Sequence, residues 1–266
     1  MAVAEQIRTV NAEGRAALII YLPAGFPDMD TSQECLEAAV DGGADLLEIG
    51  FPYSDPLMDG PVIQAANQIA LDNGYTTYDD MDMCGRLTNL IDVPATVMTY
   101  YNIAWHYGGT KRLDDFASDC VGAGLAGVIL PDLPAAEGGP WRDIAAQHRL
   151  EKVFLTSPSS TDDRIRAVAE GSTGFVYATS TMGVTGVRQS LSDRARPLVE
   201  RIRPLTDKPV CVGVGVSTPQ HTQEVAGFAD GVIVGSAAVR AASADGPKGV
   251  KRLVKDLAKG VAQAAS

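Results

Sequence analysis

LLEIGFPYSDPLMDGP (46–61) changes character halfway along. Its first part is an apolar run interrupted only by Glu48, and its second is a stiff loop of prolines and glycines that carries Asp55 and Asp59. A strand with nearly continuous apolar residues is one covered on both faces, as in parallel sheets. Working outward from 46–61, the same pattern returns in ALIIYL (17–22), DLLEIG (45–50), ATVMTY (95–100), AGVIL (126–130), KVFLTS (152–157), FVYATS (175–180), PVCVGVG (209–215) and DGVIVG (230–235).

Helical patterns separate these runs. TSQE (31–34) reads as a capping box before ECLEAAV, with Gly42 and Gly43 as the stop. Ser160 with Asp163 opens a second helix that ends at Gly171. Ser217 with Gln220 opens a third, with Pro219 in its first turn and Gly227 at its end. AVAEQIRTVNAEG (2–14) predicts an extra helix ahead of the first strand. Eight β-α units in 266 residues match the size of a single (β/α)8 TIM barrel with an extra N-terminal helix. A doubly wound open sheet is the alternative, but LPAGFPD after the first run is not a Gly-rich dinucleotide turn. No linker or shift in composition divides the chain, so residues 1–266 are expected to form one domain.

Bulk composition narrows the function. With 22 basic and 33 acidic residues the net charge is −11, and no Lys/Arg stripe is present, which argues against nucleic-acid or membrane-surface binding. The first residues lack an apolar signal core, and no apolar stretch is long enough to span a bilayer. Cys35, Cys84, Cys120 and Cys211 are far apart, as are His106, His148 and His221. The expectation is reduced thiols, a cytoplasmic protein and no metal site.

A barrel carries its chemistry at the carboxyl ends of the strands and in the loops that follow. If Leu47 and Ile49 face the helices, alternation turns Leu46 and Glu48 into the barrel. A carboxylate there is costly to desolvate unless it is paired or working. None of the neighbouring runs ends in a basic residue, which favours an acid/base group over a structural ion pair. Asp55 and Asp59 fit turn chemistry as well as catalysis when each is taken alone. In the other half of the chain, Gly213-Val214-Gly215 and Gly235-Ser236 end successive runs, and the second pair opens the helix GSAAVRAA. Such an arrangement suits a phosphate cradle. Tyr21, Tyr100, Tyr177 and Ile129 would line an apolar pocket between the two halves, with core filling as the alternative for Ile129. The residues thus point to a phosphorylated small substrate without naming it.

The chain resembles the bacterial tryptophan synthase alpha subunit family. LLEIGFPYSDPLMDGP, YLPAGFPD, VMTYYN, ILPDLP, FVYATSTMGVTGVR, VGVGVS and VIVGSAAV follow the order of that family's motifs along nearly the whole chain. The resemblance implies retro-aldol cleavage of indole-3-glycerol phosphate to indole and glyceraldehyde 3-phosphate, with no cofactor in this subunit. It further implies an α2β2 tetramer in which indole passes to a pyridoxal-phosphate-dependent β subunit. By the same implication Glu48 and Asp59 are catalytic, while Tyr21, Tyr177, Thr185 and Ile129 contact the substrate. Gly186, Gly215, Gly235 and Ser236 hold phosphate, and Pro52, Asp55, Asn102 and Pro134 face the partner. The chain departs from that pattern at Phe26, Phe175 and Thr181. A stand-alone indole-releasing lyase and a weakly catalytic activator of the β subunit stay open at this stage. The sister synthase barrel, which needs a lysine on a barrel strand, is disfavoured because no run ends in one.

Overall fold

The computed structural model describes residues 2–110, 112–179, 191–213 and 215–263, with the side chains of 191–194 and 263 excepted. Within them eight parallel strands close into a barrel in the order β1 to β8. They are β1 (Ala17–Pro23), β2 (Leu46–Gly50), β3 (Ala95–Met98), β4 (Gly127–Ile129), β5 (Glu151–Thr156), β6 (Val176–Thr179), β7 (Val210–Gly213) and β8 (Gly231–Val234). Each falls on one of the apolar runs, most of them trimmed at the ends, while β1 runs on to Pro23 and β5 starts one residue early at Glu151. β1 pairs with both β2 and β8, which closes the cylinder.

The first helix, α1 (Val3–Ala12), lies outside the repeating units. Its Val3, Ile7 and Val10 join Ala17, Ile19 and Leu46 in the inner apolar cluster, so α1 stoppers the floor of the barrel. Ala2 supplies no side-chain cap to this helix. The carboxylate of Glu151 instead accepts from the Val3 and Ala4 N–H groups, across the floor from the start of β5. Nearby, Arg15 donates to both oxygens of Asp45 at 2.7 and 2.8 Å, and Asp45 also accepts from Leu18 N–H.

Helices α2 (Met29–Gly42), α7 (Gly139–Gln147), α8 (Asp162–Gly171), α9 (Leu191–Ile202) and α10 (Pro219–Ala226) fill single connections. Two connections hold a pair each: α3 (Pro61–Asp72) with α4 (Thr77–Thr88), and α5 (Tyr101–His106) with α6 (Leu113–Gly122). GSAAVRAA opens more than a short helix. It begins α11 (Ser236–Gln263), a 28-residue helical stretch kinked at Gly246.

Three helix starts differ from the sequence reading. The first begins at Met29, because Asp28 accepts from Thr31 N–H at 2.8 Å and caps it before TSQE is reached. The second is capped by Thr161 rather than Ser160, whose hydroxyl accepts from Ser157 N–H inside the loop. The third is capped by Thr218 rather than Ser217, and Pro219 then takes the first helical position. Gly43, at φ 104°, ends α2 in the left-handed conformation that favours glycine.

Candidate active site

Strand alternation turns Leu46 into the inner cluster while Leu47 and Ile49 join the layer under the helices. Glu48 follows Leu46 inward, is 1% exposed, and has no hydrogen-bond partner for Oε2 among the described residues. Burial, and next the charge of Asp59, push its carboxyl up to about 8. At neutral pH Glu48 therefore carries a proton it can give away.

Asp59 ends the loop that follows β2, immediately before Gly60 caps α3. Its Oδ2 is met by the Tyr100 hydroxyl at 3.4 Å and by Asn67 Nδ2 at 3.3 Å. Tyr100 also accepts from Met58 N–H at 3.0 Å, and Gln64 Nε2 donates to the Asp59 carbonyl at 2.8 Å. Burial raises the Asp59 carboxyl to about 6, and the Tyr100 bond acts in the opposite direction. At pH 7 the two carboxyls hold opposite forms, an acid at Glu48 and an anion at Asp59. Such a split separates acid and base roles between neighbouring groups.

Two tyrosines complete this half of the mouth. Tyr21 stands level with Glu48 across the β1–β2 ladder. Its ring runs between strand ends: a Cβ on Gly50 would lie 2.2 Å from the Tyr21 hydroxyl, and one on Gly235 would lie 3.4 Å from its Cδ1. Tyr177 leans over Gly213 in the same way, at 2.3 Å from a Cβ placed there. Burial holds both phenols well above their usual range, with the charges of Glu48 and Asp59 adding to it, so both remain O–H donors. Ile129 is fully buried in the inner cluster.

The opposite half of the mouth is built from β7 and β8. The register places Cys211 beside Gly231, so Gly215 and Gly235 each lie four residues beyond a level pair. Gly215 is exposed and takes φ 88°, a conformation that favours glycine. Gly235 accepts from Val239 N–H and so caps α11, which leaves the first N–H groups of that helix without helical acceptors. An anion is favoured at such a place. Thr185 and Gly186 lie outside the described residues, as does Thr181. Phe175 is fully buried inside the barrel, and Phe26 is buried beneath the helices.

Of the residues expected to face a partner, Asp55, Asn102 and Pro134 are exposed, whereas Pro52 is buried. Asn102 donates to the Tyr53 hydroxyl at 3.2 Å, and Tyr53 stacks on Tyr100. Leu57 and Met58, 82% and 52% exposed, stand beside Asp55 and were not singled out from sequence. Asn67 was also missed. The readable signal was a polar residue in the apolar stripe Ile63, Ala66, Asn67, Ala70 of α3. Among the described residues no cluster of three His, Cys, Asp or Glu side chains could hold a metal ion.

The chain is similar to known proteins along nearly its whole length. The family model described as tryptophan synthase alpha chain matches residues 7–265. The tryptophan synthase alpha chain of Streptomyces coelicolor is 48% identical over 262 residues, covering 97% of this chain and 95% of that protein. That of Leifsonia xyli is 46% identical, covering 97% of each. Among solved structures, Mycobacterium tuberculosis tryptophan synthase superposes with a TM-score of 0.90 at 42% identity, covering 98% of this chain and 99% of that one. A structure of the mutually activating tryptophan synthase a2b2 complex from Pyrococcus furiosus gives 0.84 at 32% identity, covering 92% and 98%.

Proposed function

The chain belongs to the tryptophan synthase alpha chain family, and on that premise we propose that Glu48 and Asp59 divide the work of its lyase reaction. That reaction is the retro-aldol cleavage of indole-3-glycerol phosphate to indole and glyceraldehyde 3-phosphate, and the indole passes to a β subunit. Cleavage needs a proton on ring carbon 3 and the loss of a proton from the side-chain hydroxyl next to the ring. Glu48 enters protonated, delivers its proton to carbon 3, and as the resulting carboxylate takes the hydroxyl proton while the carbon–carbon bond breaks. It leaves the cycle as it entered. Protonation at carbon 3 builds positive charge on the ring nitrogen, and the fixed Asp59 carboxylate stabilises it.

One observation carries this reading: buried Glu48 on β2 and half-buried Asp59 in the loop that follows rest in opposite protonation states at neutral pH. Tyr21 and Tyr177 pack the ring, with Ile129 behind them. The phosphate sits on Gly215, Gly235 and the Ser236 hydroxyl, and the family resemblance adds Gly186 to the phosphate residues and Thr185 to the substrate contacts. No cofactor is needed in this subunit; pyridoxal phosphate belongs to the β subunit. Asp55, Asn102 and Pro134 face that partner together with the exposed Leu57 and Met58. Pro52, buried at the start of the loop, shapes it. The protein works in the cytoplasm as one barrel domain.

The test is Glu48→Gln, which keeps the shape and removes the titratable proton. Substrate should bind nearly as well while indole release disappears, measured with the β subunit present. Indole release at the wild-type rate would overturn the assignment.

A further inference from the structure

We propose that Asn67 is a positioning residue for the reaction: from α3 its amide fixes the Asp59 carboxylate so that one oxygen is committed to the protein and the other is turned toward the ring nitrogen. This inference rests on the reading of Asp59 as the anion that meets that nitrogen.

Asn67 is 2% exposed on the inward stripe of α3, where its neighbours are apolar. Nδ2 donates to Asp59 Oδ2 at 3.3 Å. Its own Oδ1 is buried without a hydrogen-bond partner among the described residues. A buried polar group left half satisfied works against folding, and leucine, of nearly the same shape, would fill the position without that cost. What the amide offers in return is a second donor on the oxygen that Tyr100 already holds at 3.4 Å. Among the described residues both bonds fall on Oδ2, from opposite supports, one on α3 and one just past β3. Two donors on one oxygen set the plane of the carboxylate, so Oδ1 is aimed rather than free to rotate.

The amide also favours the anion. An N–H group bonds a carboxylate better than a carboxylic acid, so its removal raises the pKa of the acid it served. Among the described residues the other titratable groups facing Asp59 are Glu48 on β2, Tyr21 on β1, Tyr177 on β6 and Tyr100 just past β3. None of them supplies a positive charge. Among the described residues Asn67 and Tyr100 are the side chains that donate to the Asp59 carboxylate, so loss of one donor should be visible.

Asn67→Leu separates the positioning role from a structural one. In the full chain with its β subunit, kcat for indole release should fall by about tenfold to a hundredfold, with KM changed less than about threefold. The acid limb of the kcat/KM profile should move to higher pH, while Tm holds or rises. The loss should vanish in an Asp59→Asn background, because Asn67 acts only through that carboxylate. Asn67→Ala, which removes the same donor without adding a charge, should shift the acid limb in the same direction. If Asn67→Leu fails to fold, Asn67→Ala carries the kcat and pH readouts. An unshifted acid limb with unchanged kcat overturns the proposal, as does a loss that persists equally in the Asp59→Asn background. An Asp59→Asn variant with full activity would instead remove the underlying reading of Asp59, a result distinct from Asn67 variants that behave as wild type while Asp59→Asn is inactive.

Discussion

Glu48 is held at about 8 by its burial and then by the charge of Asp59, while Asp59 itself is held near 6. The enzyme is competent when Glu48 has a proton and Asp59 does not. Below the lower value Asp59 gains a proton and no longer stabilises the ring cation. Above the upper value Glu48 has lost the proton that carbon 3 needs. Indole release should therefore follow a bell-shaped kcat/KM profile with limbs near pH 6 and 8, belonging to the coupled pair. Asp59→Asn removes the negative charge that helps to raise Glu48, so the alkaline limb should move to lower pH in whatever activity survives. Profiles of both enzymes at constant ionic strength check this. A limb that stayed fixed would mean that the two carboxyls do not sense each other.

Asp80 shows how a buried acid outside the active site reads in the same terms. It sits on α4, 3% exposed, with Oδ1 lacking a partner among the described residues. Burial, and then neighbouring Asp79, raise it to about 8. The raised value means the folded state holds the proton more tightly than the unfolded chain, in which the group titrates near 4. Its contribution to stability is complete below about pH 4 and declines as pH rises toward 8. Asp80→Asn removes that dependence. The variant's Tm minus the wild-type Tm should grow more positive between pH 5 and 8, as measured by calorimetry. A difference independent of pH would contradict the buried-acid account.

The floor of the barrel offers a prediction with no catalytic consequence. Glu151 caps α1 from 147 residues away, and no side chain of the helix's own N-cap does so. Removing a helix cap costs about 0.5–2 kcal/mol. Glu151→Ala should lower Tm by roughly 2–4 °C per kcal/mol lost. Indole release at moderate temperature should be unchanged, since the floor faces away from the carboxyl ends of the strands. Protection of the α1 amides in hydrogen exchange should fall first. A drop in activity at full stability would show that the floor couples to the mouth.

What the sequence made legible was whatever local chemistry decides. A strand sealed on both faces must be apolar throughout, so every strand was visible, and alternation within LLEIG alone turned Glu48 inward. Helix starts were readable to within a few residues, because Asp28, Thr161 and Thr218 compete with nearby residues able to make the same cap. The contacts that tune the site were hidden for a different reason. Asn67 reaches Asp59 only because α3 begins directly behind the loop and folds back over it. Glu151 meets α1 only once the cylinder has closed. Leu57 and Met58 read as ordinary apolar residues until the fold left them outside. Spacing carries no trace of such contacts, since they depend on how separate elements come to rest.

The tightest packing at the mouth gives the last prediction. Tyr21 is wedged between two glycines on the neighbouring strands, with the ring edge against Gly235 and the hydroxyl over Gly50. A methyl group on Gly50 would stand 2.2 Å from the hydroxyl and 2.6 Å from Cζ, inside van der Waals contact, so the ring must move. Overpacking of this kind costs about 1–3 kcal/mol where the surroundings are close-packed. A ring displaced toward the proposed pocket would occupy it in place of substrate. Gly50→Ala should therefore raise KM for indole-3-glycerol phosphate more than it lowers kcat. Because the clash is with one side chain, the effect should be conditional. In a Tyr21→Ala background, adding Gly50→Ala should change neither KM nor Tm appreciably, giving a coupling energy above about 1 kcal/mol across the cycle. Additive losses would show that Gly50 is needed for its backbone alone and that Tyr21 is not held in the way its position indicates.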